Sequence, residues 1–92
     1  MNTTMNTIHV YTKAEDVAEA YDAAAAFDNY PSDGCYALAV ATARELGGLE
    51  TYNSNEGKSS GISLEPTRIF EFDDKSKVQV TYGGVYLLND AA

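Results

Sequence analysis

The alternation of apolar and polar residues changes rhythm along this chain, and each change marks an element. Residues 7–11, Thr-Ile-His-Val-Tyr, alternate and are rich in strand formers, which predicts a strand. Thr12 follows, with Glu15 three residues on, a capping-box spacing that opens a helix. Over 13–27, Val17, Tyr21, Ala24 and Ala25 recur at helical spacing, with Ala14 and Ala18 beside them. Glu15, Glu19 and Asp22 fall on the opposite side. The pattern predicts an amphipathic helix with an Ala-rich buried face.

Asn29 to Gly34 has loop chemistry. Ser32 or Asp33 then caps a second helix over 34–46, whose apolar side reads Cys35, Leu38, Ala39, Thr42 and Leu46. Gly47-Gly48 stops it. Beyond this point the period drops toward two. Leu49 to Tyr52 begins a strand, and Asn53 to Gly61 reads as a mobile polar loop. Gly61 to Glu65 and Thr67 to Asp73 read as extended, with Pro66 as a break between them. Asp73-Asp74-Lys75-Ser76 forms a turn. Lys77 to Tyr82 alternates, with Val78, Val80 and Tyr82 on one face. Gly83-Gly84 is a two-residue hairpin signal leading into Val85 to Leu88. The expected fold is α+β in two layers: strand, helix, helix, then three or four antiparallel strands, with both helices on one face of the sheet.

Composition sharpens this picture. Ninety-two residues make one domain, with residues 1–5 as an expected frayed end and Met5 as a second possible start. A 45% hydrophobic content and ten aromatic residues suit an ordered core. Fourteen acids against six bases give a net charge of -8, which repels nucleic acid and anionic membranes and favours basic partners. A single cysteine precludes an intrachain disulfide and suits a reducing compartment. No segment has signal-peptide character, and no apolar stretch approaches the roughly 20 residues that span a bilayer. The expected location is therefore cytoplasmic.

Candidate chemistry is sparse. His9 is the one histidine and alternates away from Ile8 and Val10, so it reads as a solvent-facing strand residue without an orienting partner. Cys35 lies near a helix N-terminus but on the apolar face, and it reads as a small buried hydrophobe. There is no Cys-x-x-Cys, no His pair and no calcium loop, so no metal or cofactor is expected. The chain is expected to bind and not to catalyse.

The acids have a pattern. Glu15, Glu19 and Asp22 stand at i, i+4 and i+7, which spaces them about 5–6 Å apart along a helix axis. Backbone phosphates of DNA advance about 3.4 Å per residue along theirs and lie further apart through space. A carboxylate ladder is thus a rough imitation of a phosphate row. Asp16 flanks the ladder, and Asp28 and Asp33 extend it into the loop. None of these has a base at i+3 or i+4. Glu71, Asp73 and Asp74 form a secondary acidic patch, diluted by Lys75 and Lys77.

The run Phe70-Glu71-Phe72-Asp73-Asp74-Lys75-Ser76, continuing through Val78, Val80, Gly83 and Tyr86 after an Ala-rich acidic helix, resembles the hairpin of an acidic phage anti-CRISPR family. That family inhibits the type I-F surveillance complex as a DNA mimic. Lys75 departs from the Gly or Asn usual there, and this chain lacks that family's long acidic C-terminal helix. The resemblance implies a phage-type inhibitor, in the host cytoplasm, that binds the basic surface of a larger bacterial nucleoprotein complex without touching nucleic acid itself. The competing expectation is a protein–protein interaction module or homodimer using an edge strand or exposed tyrosines, from Tyr11, Tyr30, Tyr36, Tyr52, Tyr82 and Tyr86. A small enzyme would require a pocket with two convergent carboxylates.

Overall fold

The capping signature at Thr12 sets the first element. The computed structural model describes residues 11–28 and 32–88. Helix α1 spans Lys13–Asp28. The Thr12 amide donates to Glu15 Oε1 at 2.8 Å, and the Glu15 amide donates back to Thr12 Oγ1 at 3.1 Å. This reciprocal pair satisfies two donors that a helix start leaves open. Residues 7–10 of the expected leading strand lie outside the described residues, and Tyr11 is in neither helix nor strand.

Helix α2 spans Asp33–Glu45, with Ser32 as its N-cap in an extended conformation. It ends in a Schellman motif. The Gly47 amide donates to the Arg44 carbonyl at 3.0 Å and the Gly48 amide to the Ala43 carbonyl at 2.9 Å. Gly47 has φ +83°, which a side chain resists. At Gly48 an added Cβ would stand 2.7 Å from the Phe72 ring and 2.9 Å from the Ala43 carbonyl oxygen. The glycine pair thus both stops the helix and lets the sheet close against it.

Four strands follow: β1 Leu49–Asn53, β2 Arg68–Glu71, β3 Lys77–Thr81 and β4 Gly84–Leu88. They form an antiparallel meander in the order β1-β2-β3-β4. The α+β arrangement, two helices followed by four antiparallel strands, is as the pattern predicts for this part of the chain. Both helices pack on one face. Val17 and Tyr21 of α1 and Ala39 and Ala43 of α2 meet Phe70, Val78 and Val80 of the sheet, all buried. Each large core side chain here contributes about 1.5–3 kcal/mol by leaving water. No helix among the described residues is long and apolar enough to cross a membrane.

Three details differ from the sequence expectation. First, the buried face of α2 is turned: Tyr36, Val40 and Ala43 are inside, while Leu38 is 45% exposed. Tyr36 fixes the turn, because its hydroxyl donates to the Pro66 carbonyl and accepts from Arg68 Nε at 2.8 Å. Second, residues 61–65 pair with no strand. The Asn55 side chain instead holds Ser63 at both its amide (3.0 Å) and carbonyl (2.8 Å), closing the 54–67 loop on itself. Third, the last hairpin turns at Tyr82-Gly83, since Thr81 pairs with Gly84. Thr81 Oγ1 closes it, accepting the Gly84 amide at 3.0 Å and donating to the Gly84 carbonyl at 2.8 Å. Tyr82 therefore leaves the Val78–Val80 face and is 44% exposed.

The sheet face away from the helices is uncovered among the described residues. Registers place Tyr52, Ile69, Gln79 and Tyr86 in one row across it, and Leu49, Glu71, Lys77 and Leu88 in the next.

Candidate protein-binding surface

The acids divide by what they touch. Glu15 belongs to the capping box of α1. Beside it the turn after β2 completes the cap. The Lys13 amide donates to Asp74 Oδ2 at 2.8 Å, and the Ala14 amide donates to Ser76 Oγ at 3.1 Å. The Ser76 hydroxyl in turn donates to Asp74. The Lys13 ammonium reaches Asp73 Oδ1 at 2.8 Å. A segment 60 residues away in sequence thereby closes the helix N-terminus, where negative charge also suits the helix dipole. Hydrogen bonds from Ser76 and the Lys13 amide hold the Asp74 carboxyl below its ordinary pKa. Lys13 is held above its own, chiefly by the hydrogen bond to Asp73. Glu71, the third member of the secondary acidic patch, lies 4.0 Å from Lys77 on the outer sheet face.

Glu50 anchors the other end of the sheet. It accepts from Arg68 at 2.9 Å and from Asn53 at 2.9 Å, with Arg44 at 3.5 Å. Burial pushes its pKa up, but Asn53, Arg68 and Arg44 together bring it below the ordinary value.

The outer side of α1 is different. Glu19 and Asp22 are exposed, and Asp16 is half-buried. Of the six basic side chains, Lys13, Arg44, Arg68 and Lys77 are engaged at Asp73, Glu50 and Glu71. Lys58 and Lys75 sit in the 54–67 loop and the β2–β3 turn. Among the described residues, no base pairs with Asp16, Glu19 or Asp22. Ala20, Ala23 and Ala26 follow these acids at one to four residues' spacing along α1. Phe27, 89% exposed, lies near the C-terminal end of the helix. No basic residue occupies the last turn of α1, where the dipole would favour one. Asp28 ends the helix, and its side chain lies outside what the structure describes.

Asp33 is exposed in the first turn of α2 and meets Glu65 from the 54–67 loop, a partner that sequence spacing does not reveal. Burial, and then the Asp33 carboxylate and its hydrogen bond, hold the Glu65 pKa above its ordinary value. The structure therefore leaves Asp16, Glu19 and Asp22 out of the α1 cap, places Asp33 with Glu65 at the start of α2, gives Glu15 and Asp74 capping roles and pairs Asp73 with the Lys13 ammonium.

Two open hollows adjoin these groups. One, of about 300 Å³, lies between the start of α1 and the ends of β3 and β4 and contains Glu15 and Asp74. The other, about 450 Å³, runs along β1 past Glu50 and Glu56. Glu15, Asp74 and Glu50 are already engaged by amides, hydroxyls or guanidinium groups. Cys35 is fully buried, 3.4 Å from Ser32 Oγ. Among the described residues no group of three or more His, Cys, Asp or Glu side chains could hold a metal. His9 and Tyr30 lie outside the described residues. No protein-family model matches the chain, and neither a curated protein nor a solved structure shows significant similarity to it.

Proposed function

We propose that this chain is a non-catalytic binding protein that presents the outer side of α1 to a basic protein surface of the kind that otherwise holds nucleic acid. The carrying observation is the segregation of charge. Lys13, Arg44, Arg68 and Lys77 serve acids elsewhere, so the carboxylates of Asp16, Glu19 and Asp22 remain available. Helix stability accounts for Asp16, which lies in the first turn of α1, but not for Glu19 and Asp22, since only acids in that turn gain from the dipole. Glu19 and Asp22 imitate a short run of phosphates, and the exposed Phe27 near the C-terminal end of α1 supplies an aromatic anchor. The hairpin resemblance favours phage-type inhibitors of bacterial nucleic-acid machinery, with type I-F surveillance complexes as the target to try first. Asp33 with Glu65 extends the acidic surface.

The test is competition for DNA. A type I-F surveillance complex is mixed with labelled target duplex and increasing amounts of the protein, at low and at high salt. The wild-type chain is expected to displace DNA at low salt and to lose most of that effect at high salt. Joint reversal of Asp16, Glu19 and Asp22 to Lys is expected to weaken displacement about 100-fold or more, equivalent to about 2.8 kcal/mol. Absence of competition by the wild-type chain rejects the named target. Binding that survives the reversal rejects the surface as well.

A further inference from the structure

The geometry points to a homodimer formed by face-to-face packing of the uncovered sheet faces, related by a two-fold axis running along the strands between β2 and β3. The argument rests on the order of side chains across that face. Such an axis lays β1 over the partner's β4 and β2 over the partner's β3. Tyr52 then meets the partner's Tyr86, and Leu49 meets the partner's Leu88. Glu71 meets the partner's Lys77, and Ile69 meets the partner's Gln79. The strand registers fix these rows within one chain. Aromatic meets aromatic, aliphatic meets aliphatic and acid meets base, twice each, as an isologous interface requires.

Charge favours a second copy as the occupant. A chain of net charge -8 repels its own kind over most of its surface. The outer sheet face is the exception: its strands carry there one acid and one base, 4.0 Å apart. Leu49, Tyr52 and Tyr86 are 67%, 47% and 54% exposed on it. Leu49 and Tyr52 lie at the β1 edge and Tyr86 at the β4 edge, so the two-fold brings the exposed apolar side chains of one edge onto those of the other. Packed sheets stack about 10 Å apart with strands within about 30° of parallel, the geometry this two-fold sets up. Four strands of five residues or fewer make a patch about 15–19 Å on each side, from strand spacing and rise. Such a patch covers roughly 230–360 Å² per copy, below what stable interfaces bury, so the dimer is weak and forms and dissociates with concentration. It leaves the outer side of α1 open on both copies.

Sedimentation velocity over a concentration series tests this, with circular dichroism confirming that each variant folds. The wild-type mass should rise from monomer toward twice that value. Glu71→Lys sets base over base, and Lys77→Glu sets acid over acid. Each alone should weaken association about tenfold or more. An equimolar mixture of the two variants should regain the dimer, because every cross-chain contact is then opposite in sign. Pairing within one chain cannot produce that recovery. A wild-type chain that stays monomeric at high concentration overturns the proposal. So does a dimer indifferent to both substitutions, which would lie at another surface such as the β4 edge, or a mixture that stays monomeric.

Discussion

At the seam between α1 and the β2–β3 turn, each carboxylate meets a donor. Asp74 takes the Lys13 amide, Asp73 takes the Lys13 ammonium, and Glu15 takes the Thr12 amide. On the outer side of the same helix, Glu19 and Asp22 meet no base among the described residues. The two sets differ in no way that composition could register. They differ in whether the chain has folded a donor against them. Acids of the first kind should govern stability and leave binding alone, and acids of the second kind should do the reverse.

The sharpest way to break this comparison is to remove the base that serves Glu50. Arg68 is largely buried, donating to Glu50 and to the Tyr36 hydroxyl. Arg68→Ala leaves Glu50 with Asn53 and the more distant Arg44, and strips a donor from Tyr36. Hydrogen bonds to charged groups are worth about 1.5–3 kcal/mol, so a loss of about 2 kcal/mol is expected. In a domain this size that lowers Tm by about 8–16 °C. Competition for DNA should be unchanged in whatever fraction stays folded. Thermal melts followed by circular dichroism give the first number and the displacement assay the second.

A smaller effect separates the two sets on α1 itself. Asp74→Ala removes the acceptor of the Lys13 amide and should cost about 1 kcal/mol, the usual worth of a helix cap. Asp22→Ala should change stability by no more than about 0.5 kcal/mol, as at other exposed sites without a partner. Urea titrations of both variants place them side by side. Equal losses would dissolve the distinction.

How far the sequence discloses these differences depends on range. The Thr12–Glu15 box, the Ser32 cap and the Gly47 stop are local, and the structure realises each of them. The alternation of Val78 and Val80 likewise reads through to two fully buried side chains. The turned face of α2 does not. An Ala-rich helix offers several nearly equal apolar stripes, and a hydroxyl contact from Tyr36 to Pro66, thirty residues on, selects among them. Residues 61–65 look extended, but a side-chain clasp from Asn55 takes the hydrogen bonds that a strand would have used. The same limit affects the acids. Glu15 carries its capping role in its spacing from Thr12. Asp74 carries no such mark, since its amide partner lies 61 residues away. Lys75, at φ +76°, shows what the tight turn costs in backbone comfort.

The smallest expected effect is the shape of the pH–stability curve, and it reads both kinds of carboxylate at once. Asp74 and Glu50 have folded pKa values below their ordinary ones, near 3.8 and 4.5. Each therefore contributes stability that is present above the unfolded pKa and is lost as pH falls through the lower, folded value. Glu65 runs the other way. Its folded pKa is raised above an ordinary value near 4.5, by burial and by Asp33 beside it. In the folded state it binds its proton first, so it disfavours folding at neutral pH and the penalty lifts as pH falls through the folded value. Stability should thus rise slightly on acidification from neutrality, then fall once the pH drops below about 4, where ordinary carboxylates take up protons. Asp33→Asn should lessen the rise, leaving the part due to burial, and keep the fall, and Asp74→Asn should reduce the fall and keep the rise. Urea midpoints measured from neutral to strongly acid pH separate the two limbs. A fall that begins well above pH 5 and survives in Asp74→Asn would assign the acid limb to other groups, because a depressed carboxyl cannot release stability before an ordinary one begins to titrate.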